Sequence, residues 1–97
     1  MSPYVAALRF DGDPAQLVPA YHRLLEQFPL DALDLHISVT DGAGLTVIDS
    51  CPSRQAFEAF RTSREFLGAV AAAGLPTPRA DGLGDLLLAH LREPVTA

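Results

Sequence analysis

LDLHISVTDGAGLTVIDSC, residues 33–51, decides the fold, because it reads as two β-strands joined by a turn. In the first strand Leu33, Leu35, Ile37 and Val39 alternate with Asp34, His36, Ser38 and Thr40, the period-two pattern of a strand buried on one side. Asp41, Gly42, Ala43 and Gly44 supply turn residues able to take positive φ, and Leu45 to Cys51 is a second run suited to a strand. With residues 41–44 as the loop, Thr40 faces Leu45 and opposed residue numbers sum to 85, which sets His36 across from Asp49. Opposed residues of an antiparallel pair bring their Cβ atoms to about 4.5–5.5 Å, close enough for a carboxylate to hydrogen-bond an imidazole. A neighbouring carboxylate fixes the tautomer of a histidine and raises its basicity. The pair is therefore either a general acid/base dyad or a solvated cross-strand pair that helps to set register. Ser38, Val47 and either Cys51 or Asp34 share its face.

Outward from the hairpin, Tyr4 to Phe10 reads as a first strand, with Tyr4, Ala6, Leu8 and Phe10 on one face and Val5, Ala7 and Arg9 on the other. Asp13, Pro14 and Gln16 form a helix-start signal, followed at helical spacing by Leu17, Tyr21, Leu24, Leu25 and Phe28. Pro19 requires the helix to bend there or its regular part to begin near Val18, and Pro29 closes it. Beyond the hairpin, Ser53 caps a second helix with apolar positions at Phe57, Phe60, Leu67, Val70 and Ala71. Arg54 with Glu58 and Arg61 with Glu65 stand four residues apart on its solvated side. Gly68 marks a break into two shorter helices, and Gly74 with Pro76 ends the run. Residues 75–83 read as a loop able to cover the mouth of a site, residues 84–92 as a last strand, and residues 93–97 as a frayed end.

The order strand, helix, strand, strand, helix, strand is that of a ferredoxin-like α+β domain, a four-stranded antiparallel sheet with its helices on one face. A chain of 97 residues makes one such domain with a moderate core. The expected uncovered face carries Arg9, His36, Ser38, Val47 and Asp49. Two copies stacked sheet to sheet, about 10 Å apart, enclose those residues between them. An apolar content of 48% in so short a chain also points to a surface hidden by a second copy.

Composition narrows the function. A net charge of −5 argues against the nucleic acid backbone as a partner. All seven basic residues are arginine, which with the wealth of Ala and Leu points to a GC-rich bacterial gene. A single cysteine makes no internal disulfide, and no leader or long apolar run is visible, so the expected compartment is the cytoplasm, without membrane attachment. Neither histidine spacing nor a cysteine cluster gives a metal signature, and no phosphate loop, nucleotide fingerprint or hydrolase elbow is visible.

At the level of motif, DGAGLTVIDSCPSRQAFEAF, residues 41–60, followed by Gly74, Leu75 and Pro76, resembles the small dimeric α+β barrel proteins related to the antibiotic biosynthesis monooxygenases. The shared features are a Gly-containing hairpin turn, an acidic residue near the end of the third strand, and a Ser-started helix with spaced aromatics. Bacterial members often carry a histidine before the turn, matched by His36. Their acidic position is matched by Asp49, and a histidine in their last strand by His90. The resemblance implies a homodimer whose two sheets close a barrel around a mostly apolar cavity. It also implies chemistry such as oxygenation of polycyclic phenols without a cofactor, haem degradation, polyketide cyclisation or lactone isomerisation. Cys51 stands where many members carry Trp, and Ala7 stands where the haem-degrading branch carries Asn, which argues against haem cleavage.

The expected function is that of a small cofactor-independent enzyme of bacterial specialised metabolism, with no metal. His36, backed by Asp49, removes a proton from an enolisable or phenolic polyketide-like substrate, and Arg9 or Ser38 holds the resulting anion. The anion then cyclises, isomerises or reacts with dioxygen. Val47, Cys51 and His90 complete the expected substrate-binding set. His90 is either a second acid/base group or a partly buried strand histidine, and Cys51 either a nucleophile or an apolar filler. Tyr21 reads as core and His22 as exposed. The alternative is a non-catalytic dimer that holds a hydrophobic ligand or serves a larger enzyme as an accessory subunit.

Overall fold

The chain alternates strands and helices as its apolar periods require: β1 (Tyr4–Asp11), α1 (Pro14–Gln27), β2 (His36–Asp41), β3 (Gly44–Cys51), α2 (Arg54–Arg61), α3 (Arg64–Ala73) and β4 (Arg79–Asp85). The computed structural model describes residues 3–30 and 33–96. The strands form one antiparallel sheet in the order β2-β3-β1-β4, compatible with a ferredoxin-like α+β fold. No helix among the described residues is long and apolar enough to cross a membrane.

Local signals set the helix ends. The Asp13 side chain accepts a hydrogen bond from the Ala15 amide with Pro14 in the first turn, and α1 continues through Pro19 to Gln27. Ser53 caps α2 in the same way, by accepting from the Ala56 amide. The break in the second helical run falls at Thr62 and Ser63 rather than at Gly68, because Ser63 caps a new helix by accepting from the Phe66 amide. Restarting the helix shifts its phase. Phe66, Val70 and Ala73 now face the core, while Leu67 and Ala71 are exposed. Arg61 accordingly pairs with Glu58, at 2.8 Å, and not with Glu65 beyond the break. Gly74, at φ 91°, ends α3 in the left-handed conformation that glycine adopts without strain.

The core lies between the sheet and the helices. Leu8 and Phe10 from β1, Leu45 and Val47 from β3, Leu17, Tyr21 and Leu24 from α1, and Phe66 and Val70 from α3 are all buried. Phe60 packs against Phe66 and Phe28, with ring centroids 4.5 Å and 5.5 Å apart.

Two expectations about the sheet also fail. The last strand is β4, Arg79–Asp85, and not residues 84–92. It has little apolar alternation and is held by backbone pairing with β1, around a bulge at Val5 and Ala6. Gly82 leaves room there for the Tyr4 ring, since a Cβ at that position would stand 1.9 Å from the Tyr4 hydroxyl and displace it. Residues from Leu86 onward run outside the sheet.

The second failure concerns the faces. Register places Asp49 opposite Ala6 and Val47 opposite Leu8, so Asp49, Val47 and their cross-strand partners His36 and Ser38 stand on the helix-covered face. Arg9 pairs with Thr46 on the other, open face, together with Ile37, Val39, Ile48 and Asp41. The apolar side of β2 therefore faces away from the helices, with Ile37 and Val39 41% and 53% exposed.

Candidate functional site

The hairpin holds His36 and Asp49 in the register that the loop length implies: β2 and β3 pair with numbers summing to 85, from His36–Asp49 to Asp41–Gly44. The turn is tighter than four residues, since Asp41 and Gly44 already pair. No residue in it has positive φ. The Asp41 carboxylate instead accepts from the Ala43 amide at 2.8 Å, closing an Asx turn. At the other end of β2, Leu35 is fixed to Ser50 twice. Its amide donates to Ser50 Oγ at 3.0 Å, and its carbonyl accepts from the Ser50 amide at 3.1 Å. Both ends of the strand that carries His36 are thus tied to β3.

On the helix side, His36 Nδ1 hydrogen-bonds Asp49 Oδ1 and its Nε2 hydrogen-bonds the Tyr21 hydroxyl. The direction follows from the inventory of donors. An ionised carboxylate only accepts, so Nδ1 carries the proton, and in a neutral imidazole Nε2 is then an acceptor. The Tyr21 O–H therefore donates to His36, which donates to Asp49. Tyr21 is brought there by α1, whose buried stripe of Leu17, Ala20, Tyr21 and Leu24 seats the phenol against the β2–β3 hairpin. The rings of Tyr21 and His36 lie within 4° of parallel. Burial raises the Tyr21 pKa above 10.0, the nearby Ser38 hydroxyl lowers it, and the charge of Asp49 raises it further. At neutral pH the phenol is protonated.

This chain of hydrogen bonds stands in the wall of a partly open cavity of about 410 Å³ between the sheet and the helices. Leu8 and Val47 contribute to its sheet side, Leu24 and Phe28 come from α1 and its end, and Phe57 and Phe60 come from α2. The lining is overwhelmingly apolar, and Tyr21, His36, Asp49 and Cys51 lie together along one part of it. The volume suits a small ligand of drug-like size. No arginine lines it. Cys51 follows Asp49 by two on the same face. Burial, and then the charge of Asp49, raise its thiol above 9.0, so it rests as the thiol rather than the nucleophilic thiolate.

Several expected site residues are placed elsewhere. Arg9 lies on the opposite face of the sheet, 3.0 Å and 3.1 Å from the two Asp41 oxygens, and donates as well to Asp11 and Thr46. It does not reach the cavity. Val47 lines the cavity as a buried core residue rather than on an uncovered face, and Ser38 is exposed beside the Tyr21 end of the chain. His90 is exposed beyond the end of β4 and belongs neither to a strand nor to the cavity. Among the described residues no group of three or more His, Cys, Asp or Glu side chains is placed to hold a metal ion.

Tyr21 is the site residue that sequence reasoning assigned to the core alone. A signal was present, because a tyrosine in a buried helical stripe needs a partner for its hydroxyl. What the sequence did not show was that the helix packs against the polar side of β2. Among known proteins no family model matches the chain, and neither a curated protein nor a solved structure matches it.

Proposed function

We propose that the chain is a small cofactor-independent enzyme, akin to the antibiotic biosynthesis monooxygenases, that removes a proton from an enolisable or phenolic polyketide-like molecule bound in the cavity. The observation that supports this reading is the chain Tyr21–His36–Asp49 set in an apolar wall. Asp49 orients the imidazole and stabilises the imidazolium that proton abstraction creates. The hydroxyl of Tyr21 leaves His36 Nε2 and donates to the oxygen of the substrate, so that a C–H or O–H bond breaks, an N–H bond forms, and the developing enolate or phenolate is held by a phenol. This assigns to Tyr21 the role expected of Arg9 or Ser38. A low-dielectric wall strengthens each of these interactions. The anion then cyclises, isomerises or reacts with dioxygen. The open sheet face, apolar at Ile37, Val39 and Ile48, supports a homodimer in which two sheets stack as a dimeric α+β barrel.

One observation favours a second reading, a non-catalytic dimer that holds a hydrophobic ligand: His36 Nε2 is already engaged by Tyr21, so without displacement of that hydroxyl the imidazole offers the ligand no lone pair. The two readings part on exchange kinetics. With 2-tetralone as probe in deuterated buffer, the native protein is expected to accelerate exchange of the α-protons, and His36→Ala to abolish the acceleration while the fold is retained. Native protein that binds the probe without accelerating exchange would favour the second reading, and turnover undiminished in His36→Ala would exclude the imidazole as base.

A further inference from the structure

Beyond β4 the chain carries LLLAHLREPV, residues 86–95, in which every large apolar side chain after Leu86 is exposed. Leu87 is 98% exposed, Leu88 82%, Leu91 63% and Val95 76%, so most of their surface is left uncovered by their own chain. The segment leaves the sheet at the β4 edge, where the Leu86 amide donates to the Pro3 carbonyl at 2.8 Å. At the opposite edge, β2 presents its own unmatched apolar side chains, Ile37 and Val39, on the open face. A single chain therefore leaves two apolar surfaces uncovered, a sheet face and an extended strip. Each has the size and chemistry to cover the other.

We infer that residues 86–95 are an exchange arm, which packs its leucines against the open sheet face of a second copy of this chain around Ile37 and Val39. This rests on the dimer proposed above and names the segment that seals it. A second copy is favoured over the arm's own sheet by position and by symmetry. The arm and β2 lie at opposite edges of the sheet, three strand spacings or roughly 14 Å apart. A two-fold axis lying between the sheets and along the strands carries β2 of one copy over β4 of the other, next to the root of the arm. The same axis makes the exchange reciprocal, so that two arms cover two faces and nothing is left over. The area reaches the right order: buried in full, the exposed parts of Ile37, Val39, Leu87, Leu88, Leu91 and Val95 in two copies set an upper bound on the order of 1,200 Å², the size at which specific interfaces begin. The charges of Arg92 and Glu93 and the proline at 94 interrupt the apolar strip between Leu91 and Val95.

Sedimentation of three chains over a range of concentration tests the inference: the native protein, an arm variant carrying Leu87→Asp and Leu91→Asp, and a face variant carrying Val39→Asp. The native chain is expected to sediment at twice its 10.3 kDa mass. Both variants are expected to dimerise about 100-fold more weakly, as the loss of two apolar anchors or the burial of one unpaired charge requires. Circular dichroism of the variants is expected to be unchanged, since each substituted side chain is more than half exposed within one chain. An arm variant that dimerises as tightly as the native protein would overturn the exchange arm while leaving the stacked-sheet dimer standing. A native chain that is monomeric throughout would overturn both. A monomer whose melting temperature falls in the arm variant would place the arm on its own sheet, against the inference.

Discussion

On the helix side of the sheet, Leu8, Phe10, Leu45 and Val47 are buried, and the polar pair among them, His36 and Asp49, is joined to a buried phenol. On the open side Ile37 and Val39 stand in solvent, and the polar residues Arg9, Asp11, Asp41 and Arg79 form ion pairs with one another. Both faces are mixtures of apolar and polar residues. What differs is the surroundings. Behind the helices the surroundings are mostly apolar, a hydroxyl must find a partner, and burial, followed by the charge of one carboxylate, raises the pKa of two neighbours, Tyr21 and Cys51. On the open face water screens the charges, and the same residue types do no more than steady the strands.

The sharpest break of this comparison is a pair of truncations. Phe10 is 1% exposed in the middle of the core, and Phe10→Ala is expected to destabilise the chain by about 3–5 kcal/mol, from lost burial and the cavity left behind. Val39→Ala on the open face is expected to change the stability of the monomeric chain by no more than about 0.5 kcal/mol. Denaturant titration at unchanged m-value gives both numbers. If the two truncations cost alike in the monomer, the open face is not open.

The faces also mark the limit of what the sequence discloses. The strands around the turn, the pairing of His36 with Asp49 and the three helix caps at Asp13, Ser53 and Gly74 were legible, because each depends on residues close in sequence. Which side of β2 faces the helices was not. Alternation says that Leu35, Ile37 and Val39 share a side, and the habit of placing the apolar side inward then sends His36 outward. Here β2 is an edge strand, reached on the helix side by Tyr21, and its apolar side is the one the helices leave bare. The register through β3 to β1 contained the answer: had Asp49 been matched to Ala6, His36 would have followed the core. The last strand was misplaced for the converse reason. The apolar run from Leu86 to Leu91 looks like a strand, while RADGLGD, which is one, owes its place to the backbone of β1 and to a glycine beneath Tyr4. Tyr21 reads from the sequence as core rather than catalytic because its partner sits fifteen residues away on an element whose facing was inverted.

The next effect in size distinguishes buried from exposed charge by pH. Tyr21 has its folded pKa raised above 10.0, chiefly by burial. Between the unfolded and the folded value the unfolded chain has lost a proton that the folded chain keeps, so stability is full below pH 10 and falls as the pH rises beyond it. The slope from this one group is at most about 1.4 kcal/mol per pH unit. Tyr21→Phe removes the hydroxyl, so over the range in which His36 is neutral and the phenol protonated the variant is expected to be offset from the native protein by a constant amount, the value of the lost hydrogen bond, and to converge with it above pH 10. Parallel curves through that range would mean that the phenol ionises as freely in the folded chain as in the unfolded one.

The smallest effect belongs to the open face. Hydrogen bonds to Asp41, then to Asp11, raise the Arg9 pKa, and the same bonds from Arg9 hold the Asp41 carboxyl below 3.8. A carboxylate with a lowered folded pKa contributes stability above its unfolded value and loses it as the pH falls through the folded one. Asp41→Asn keeps the side-chain oxygen that receives the Ala43 amide and removes only the charge, so it isolates the ion pair from the turn. In water the pair is screened, and the substitution is expected to lower the melting temperature by about 2 °C or less, with the difference gone in 1 M salt and at a pH below both values. A second copy stacked on this face would change the result in a defined way. Covered by another sheet, Arg9 and Asp41 lose their water, and the cost of removing one charge then survives 1 M salt. The same substitution measured below and above the dimerisation concentration therefore reads whether water reaches the open face.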